Sequence, residues 1–252
     1  MPSHLITGAS RGIGLGLVTE LLRDPQNYVI AGARDPAGSK HLHELDAKYG
    51  SERLAIVQLD VTDAASVTRA VPEVEALLKP QGGGLDSLIN NAGTACQALC
   101  DFDEINTDLA EEEFRINTVG SLRVTRAFLP MVRKGQWKKI TFITSILGSL
   151  ELAPEWEGLS NSYAISKAGL NMLARLWGAR LRSEGITIIL MHPGWVATEL
   201  AEPIEHWMSK NHPEVPRITP DQCATGAVRV IKEAGLQETV QYYQWNGKML
   251  PL

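Results

Sequence analysis

A chain of 252 residues, 44% hydrophobic and 21% charged, is long enough for one large domain or two small ones and has an ordinary globular composition. Its net charge of −5, without a basic block, makes neither a nucleic-acid backbone nor an anionic membrane an expected partner. No run approaches ~20 apolar residues, and "MPSHLITGAS" lacks the marks of a signal peptide, so a cytoplasmic location is expected.

Apolar runs of strand length alternate with helical stretches. "HLITG" leads into a glycine-rich turn and a helical pattern from Ile13 to Arg23, and "YVIAGAR" reads as a strand buried on both faces. Next come a polar helix from Ser39 to Tyr49, the strand "LAIVQLD", and helical spacing from Ala64 to Leu78 that should break or restart at Pro72. "QGGGLD" marks a loop, and "LDSLINNAG" a strand running into a turn. A long helix over roughly Leu109 to Arg133 precedes the strand "KKITFITS". A further helix runs from about Asn161 to Ser183, and "ITIILMHPG" closes the series. This alternation predicts an α/β fold, a doubly wound (Rossmann) parallel sheet with helices on both faces. A single domain over 1–252 is expected, with a proline-marked excursion from the sheet at about 199–220.

Cys96, Cys100 and Cys223 are too few for a disulfide scaffold and fit a reducing compartment. Cys96 and Cys100 lack a second pair of ligands at zinc spacing and read as small apolar fillers. His41 and His43 read as solvated, so no metal site is expected.

"TGASRGIG" sits between the first strand and the first helix, with Gly8, Gly12 and Gly14 spaced G-x-x-x-G-x-G. Glycines there let the backbone turn tightly and let a pyrophosphate approach the free N–H groups of a helix N-terminus. About 20 residues on, an acidic residue would suit the free ribose hydroxyl of NAD, and an arginine the 2′-phosphate of NADP. The second strand ends Ala33-Arg34-Asp35, and Arg11 offers another cation. NADP(H) is the expected cofactor; NAD(H), with Asp35 as the acceptor, is the alternative. In "NSYAISKAGL", Tyr163 and Lys167 lie four residues apart and project from one helix face.

With "LDVTD", "NNAG", "INTVGS", "FITSILG", "YAISK" and "HPGWVATE" following in order, the chain resembles a short-chain dehydrogenase/reductase of about 250 residues over nearly its whole length. The resemblance implies a cofactor site of Gly8, Ser10, Arg11, Gly12, Ile13, Gly14 and Arg34, of Asp60 and Val61 beside the adenine, and of Asn91, Ala92 and Gly93 in the cleft. It places Pro193, Gly194, Val196 and Thr198 on the nicotinamide side, and Asn117, Ser145, Tyr163 and Lys167 in the active site, the last two also touching cofactor. Tyr163 would be the acid in reduction and the base in oxidation, Ser145 would bind the substrate oxygen, and Asn117 would hold a water leading to Lys167. Lowering a phenol from ~10 to ~7 takes about 4 kcal/mol. An ammonium ~4 Å away contributes on the order of 4 kcal/mol at an effective dielectric of ~20 before desolvation.

The spacing of 18 residues from Ser145 to Tyr163 exceeds the usual dozen of the family and, with "PGWVATE", makes the chain most similar to carbonyl reductases. Leu147, Trp156 and Trp195, with Leu150, Ile204 and Trp207, are expected to line an apolar, lid-covered substrate pocket. A ketone or aldehyde substrate is implied. The other readings are a dedicated biosynthetic ketoreductase and a non-catalytic NADP(H) sensor. A homodimer or homotetramer, formed through the long helices near 109–133 and 160–183, is expected by resemblance.

Overall fold

Five buried residues, Ser3–Thr7, form β1 of a computed structural model that describes residues 1–252. The same double-faced burial recurs in β2 (Tyr28–Ala33), β4 (Ser87–Asn90) and β5 (Lys139–Ile143), and nearly so in β6 (Thr187–His192). Strands buried on both faces need helices on both sides. With β3 (Leu54–Gln58) and β9 (Gln241–Gln244) they form a seven-stranded sheet in the order β3-β2-β1-β4-β5-β6-β9. Every adjacent pair is parallel. The order reverses between β1 and β4, and there a crevice opens beyond the strand C-termini.

One face carries α3 (Ala64–Leu78), α5 (Ser121–Lys134) and α6 (Asn161–Leu181), packed through residues such as Val74, Phe128 and Leu170. The other carries α1 (Gly12–Arg23), α2 (Lys40–Tyr49) and α8 (Pro220–Glu233), through Leu17, Leu42 and Ile231. The α/β doubly wound fold expected from the alternation is therefore the fold observed.

Two local expectations are corrected. Pro72 does not break α3, which runs continuously from Ala64 to Leu78. Pro72 and Thr68, whose carbonyl loses its N–H partner, both face solvent, where water can replace the missing bond. The long helix is not uniform. α4 (Thr107–Phe114) passes into a π-turn at Arg115–Gly120 before α5 begins. The excursion holds α7 (Glu205–Asn211) between the two short strands β7 (Trp195–Val196) and β8 (Arg217–Ile218), which pair with each other.

Neither α8 nor β9 was expected. A capping box, in which Thr219 accepts from Gln222 N–H and Gln222 accepts from Thr219 N–H, starts α8, with Pro220 in the first turn. Pro220 therefore begins a helix rather than ending an irregular segment. Cys96 is exposed and Cys100 half-buried, so neither fills a core. Both stand on an irregular loop held by polar bonds.

Candidate active site

The glycine turn is shaped by backbone approach. Gly8 has φ +64°, and a Cβ there would lie 2.8 Å from Ala92 Cα. On Gly14 a Cβ would lie 2.2 Å from Gly8 O and 2.6 Å from Asn91 Nδ2. Asn91 donates to the carbonyls of Thr7 and Gly8, and the Thr7 hydroxyl accepts from the N–H groups of Asn91 and Ala92. The loops after β1 and β4 thus form one hydrogen-bonded unit. α1 begins with no side-chain cap and no acid in its first turn, leaving N–H groups available to an anion. Ser10 lies at the tip of this turn, half-buried, and Ile13 packs beside Val196 and Ile218.

The "HPGWVATE" segment reaches across to the same turn. A Cβ on Gly12 would stand 3.3 Å from Thr198 Cγ2, and Arg11 pairs with Glu199 at 2.5 Å. Pro193 is half-buried, and Gly194, at φ +85°, packs against Trp245. At the end of β2, Arg34 is exposed and makes no ion pair, whereas Asp35 Oδ1 accepts from Gly38 N–H at 3.2 Å. The carboxylate is thus engaged in its own turn and the guanidinium is free. Asp60 Oδ1 accepts from the N–H and hydroxyl of Thr62, which fixes the loop after β3. Val61 is buried there against Gly120, and its carbonyl accepts from Arg123. An uncapped helix start, backbone close enough to exclude side chains and an unpaired arginine fit a phosphorylated dinucleotide.

Across the crevice, α6 carries Tyr163 and Lys167. Lys167 Nζ is buried, donates to Ile143 O at 2.9 Å and lies 5.5 Å from the centre of the Tyr163 ring. A Cβ on Gly93 would approach Asn117 Oδ1 to 3.1 Å and Lys167 Nζ to 3.4 Å, so these residues share one floor. Asn117, fully buried in the π-turn, accepts from Thr94 N–H at 2.8 Å and donates to Thr94 O and Ser166 Oγ, each at 2.9 Å. Its side-chain amide is committed to protein partners.

Ser145 follows β5 and accepts from Leu147 N–H at 3.3 Å. Its loop is pinned by Asn171, which accepts from Thr144 Oγ1 and donates to Gly148 O. Sequence reading missed Asn171, because one asparagine within a helical pattern carries no signal of its long-range partners.

Burial pushes the Tyr163 phenol above its usual range; the Ser145 hydroxyl pulls it back, and the Glu113 charge pushes it further up. Burial also holds the Lys167 amine down to about 8. The expected strong pull of Lys167 on the phenol is thus not supplied by the protein's own groups. Lys167 is buried and Tyr163 half-buried, and desolvation disfavours ammonium and phenolate alike.

Beside Tyr163, the side chains of Leu147, Trp156, Leu159 and Met208 form a separate apolar cluster, flanked by Trp195, Ile204 and Trp207. Leu150 departs from the expected lining: it is 75% exposed. Trp156 stacks on His212 at 4.2 Å between ring centres, so the Leu147–Leu159 loop and the 199–220 segment pack on each other.

A parallel switch-point sheet with a glycine turn on one side and a Tyr/Lys/Ser group on the other defines a dinucleotide-dependent oxidoreductase. The model of the short chain dehydrogenase family matches residues 3–209. The chain belongs to the short-chain dehydrogenase/reductase family. It is 38% identical over 217 residues to the short-chain dehydrogenase/reductase AacuF of Aspergillus aculeatus, covering 81% of this chain and 78% of that protein. Among solved structures, an NADPH-bound carbonyl reductase from chicken fatty liver superposes with a TM-score of 0.88 at 35% identity, covering 100% of this chain and 99% of that one. A Burkholderia multivorans short-chain dehydrogenase/reductase with bound NADP gives 0.79 at 27% identity, with the same coverage. No helix is long and apolar enough to cross a membrane.

Proposed function

We propose that this protein is an NADP(H)-dependent carbonyl reductase that converts a ketone or aldehyde to an alcohol, reversibly, in the cytoplasm. The observation that carries the reading is the convergence of Ser145, Tyr163 and Lys167 beside an apolar cluster at the switch point. When bound, reduced nicotinamide supplies hydride to the carbonyl carbon. Tyr163 donates its hydroxyl proton to the carbonyl oxygen, and burial keeps that phenol protonated at neutral pH. Ser145 orients the same oxygen and stabilises its developing charge. Lys167 binds the ribose hydroxyls and returns a proton to Tyr163. Asn117 fixes the floor through Thr94 and Ser166, and a relay water would be met by its main chain rather than by its committed amide.

Gly8, Ser10, Gly12, Ile13 and Gly14 hold the pyrophosphate, Asp60 and Val61 flank the adenine, and Asn91, Ala92 and Gly93 line the cleft. Pro193, Gly194, Val196 and Thr198 bound the nicotinamide. Leu147, Trp156 and Trp195 favour bulky apolar carbonyls over small polar ones. A panel of ketones and aldehydes, followed by NADPH absorbance with NADH as comparator, tests the reading. No turnover of any member with either cofactor would leave the sensor reading in its place.

Arg34 and Arg11 are assigned to the 2′-phosphate. Arg34→Ala should raise KM for NADPH about tenfold while moving KM for NADH little, since one charge-assisted hydrogen bond is worth about 1.5–3 kcal/mol. An unchanged ratio of the two constants would assign the phosphate to Arg11 alone or return the role to Asp35 and NAD.

The expected homo-oligomer has an apolar stripe available on α6, where Ile165, Met172 and Leu176 are all more than half exposed. Light scattering should give a mass of at least twice the 27.5 kDa chain, and Leu176→Glu should reduce it. A monomer at micromolar concentration would remove that assignment.

A further inference from the structure

Glu113 is fully buried and lies one helical turn before Asn117. Its Oε1 accepts from Cys96 N–H at 2.5 Å and, more weakly, from Gln97 N–H at 3.4 Å, while Oε2 is inaccessible and has no partner. A carboxyl group taken wholly out of water is costly, and polar groups buried this deeply are normally fully paired. No glycine-turn or Tyr/Lys motif calls for an acid at this position.

The chain leading from those two N–H groups ends at Tyr163. Gln97 Nε2 donates to Ser162 Oγ at 3.1 Å. Ala98 O accepts both the N–H and the hydroxyl of Ser160, and Cys100 O accepts from Asn161 Nδ2. Ser160, the N-cap of α6, has φ +51° and ψ +50°, a left-handed conformation that costs a non-glycine residue energy, and it makes no side-chain cap bond. The loop therefore holds a strained helix start that does not hold itself. Tyr163 stands in that first turn.

We propose that Glu113 is a positioning residue for the reaction: it pins the Thr94–Cys100 loop, which in turn sets the first turn of α6 and the place of the Tyr163 hydroxyl.

The effect on kcat rests on Tyr163 being the donor; the brace itself does not. The test uses the full chain with Glu113→Ala and Glu113→Gln. It reads amide hydrogen exchange over 94–101 and 158–164, and kcat for the best carbonyl of the panel with NADPH. Glu113→Ala should speed exchange in both segments together and lower kcat by about 10²-fold, the scale set by small misplacements of a reacting group. Glu113→Gln keeps an acceptor for the two N–H groups. It should restore most of the protection and bring kcat back to within about tenfold of wild type. Unchanged exchange in Glu113→Ala, or a kcat in Glu113→Gln as low as in Glu113→Ala, would overturn the brace. If Glu113→Ala does not fold, exchange in Glu113→Gln carries the test, and protection as weak as in a loop without a tether overturns the brace. An active Tyr163→Phe would instead remove the proton-donor reading and leave the exchange result standing.

Discussion

Tyr163→Phe is expected to fold, to bind NADPH with wild-type affinity and to lose carbonyl reduction by about 10²–10⁴-fold, the usual worth of a general acid. The ring packs against the Leu147 and Trp156 cluster, and phenylalanine keeps that packing. Only the hydroxyl goes, and with it the proposed proton donor. Thermal melting and NADPH fluorescence titration check the first two expectations, and steady-state turnover the third. A kcat within a few fold of wild type would place the proton source elsewhere.

Lys167→Met should separate stability from activity in opposite directions. Burial lowers the amine from 10.5 to about 8, so below about 8 the folded protein carries a buried ammonium, with Ile143 O as its one hydrogen-bond acceptor. Between about 8 and 10.5 the unfolded chain still holds a proton that the folded protein has released. Wild-type stability therefore rises with pH across that window, and at pH 7 the fold bears the full cost of the charge. The shift corresponds to about 3 kcal/mol, from which the lost hydrogen bond takes roughly 1 kcal/mol. Lys167→Met should thus be more stable than wild type at pH 7 by about 2 kcal/mol, and this advantage should fade towards pH 10. On the proposed mechanism one ammonium serves both ribose and phenol, so activity should fall by about 10²-fold or more. In the wild type, kcat/KM should decline as pH rises through about 8, where that ammonium is lost. A variant that is less stable at pH 7, or a kcat/KM flat to about pH 9.5, would show that Lys167 is not a strained functional cation.

The sheet was legible because strands buried on both faces write themselves as continuous apolar runs, as "YVIAGA" and "TIILM" do. The glycine turn was legible because close backbone approach leaves only glycine at Gly8 and Gly14. What escaped reading was tertiary. Gln241–Gln244 reads as polar, yet it pairs with β6, which supplies the burial its own composition does not advertise. Pro72 looked like a breaker because its effect depends on which side of the helix meets water. Glu113 is the last of three consecutive glutamates and Asn171 one asparagine in a helical stretch, and their partners lie 16 to 27 positions away. No local pattern announces such pairings. The expected acidifying pull of Lys167 on Tyr163 followed from Coulomb's law alone and left out burial, which raises the phenol and lowers the amine.

The π-turn at Arg115–Gly120 gives the α4–α5 rod a change of gear. Glu113, Asn117, Val124, Phe128 and Met131 are spaced by four, seven, four and three residues, which in a straight helix would put them on one face. Accommodating one additional residue rotates the downstream helix by about 100°. The upstream pair can then address the Thr94 loop while the downstream three face the core. Asn117 is aimed by the length of a helix, a property carried by no single side chain. Drift in this region would accordingly be written in insertions and deletions: a rod one residue shorter or longer would misdirect the floor of the crevice with every residue type still in place.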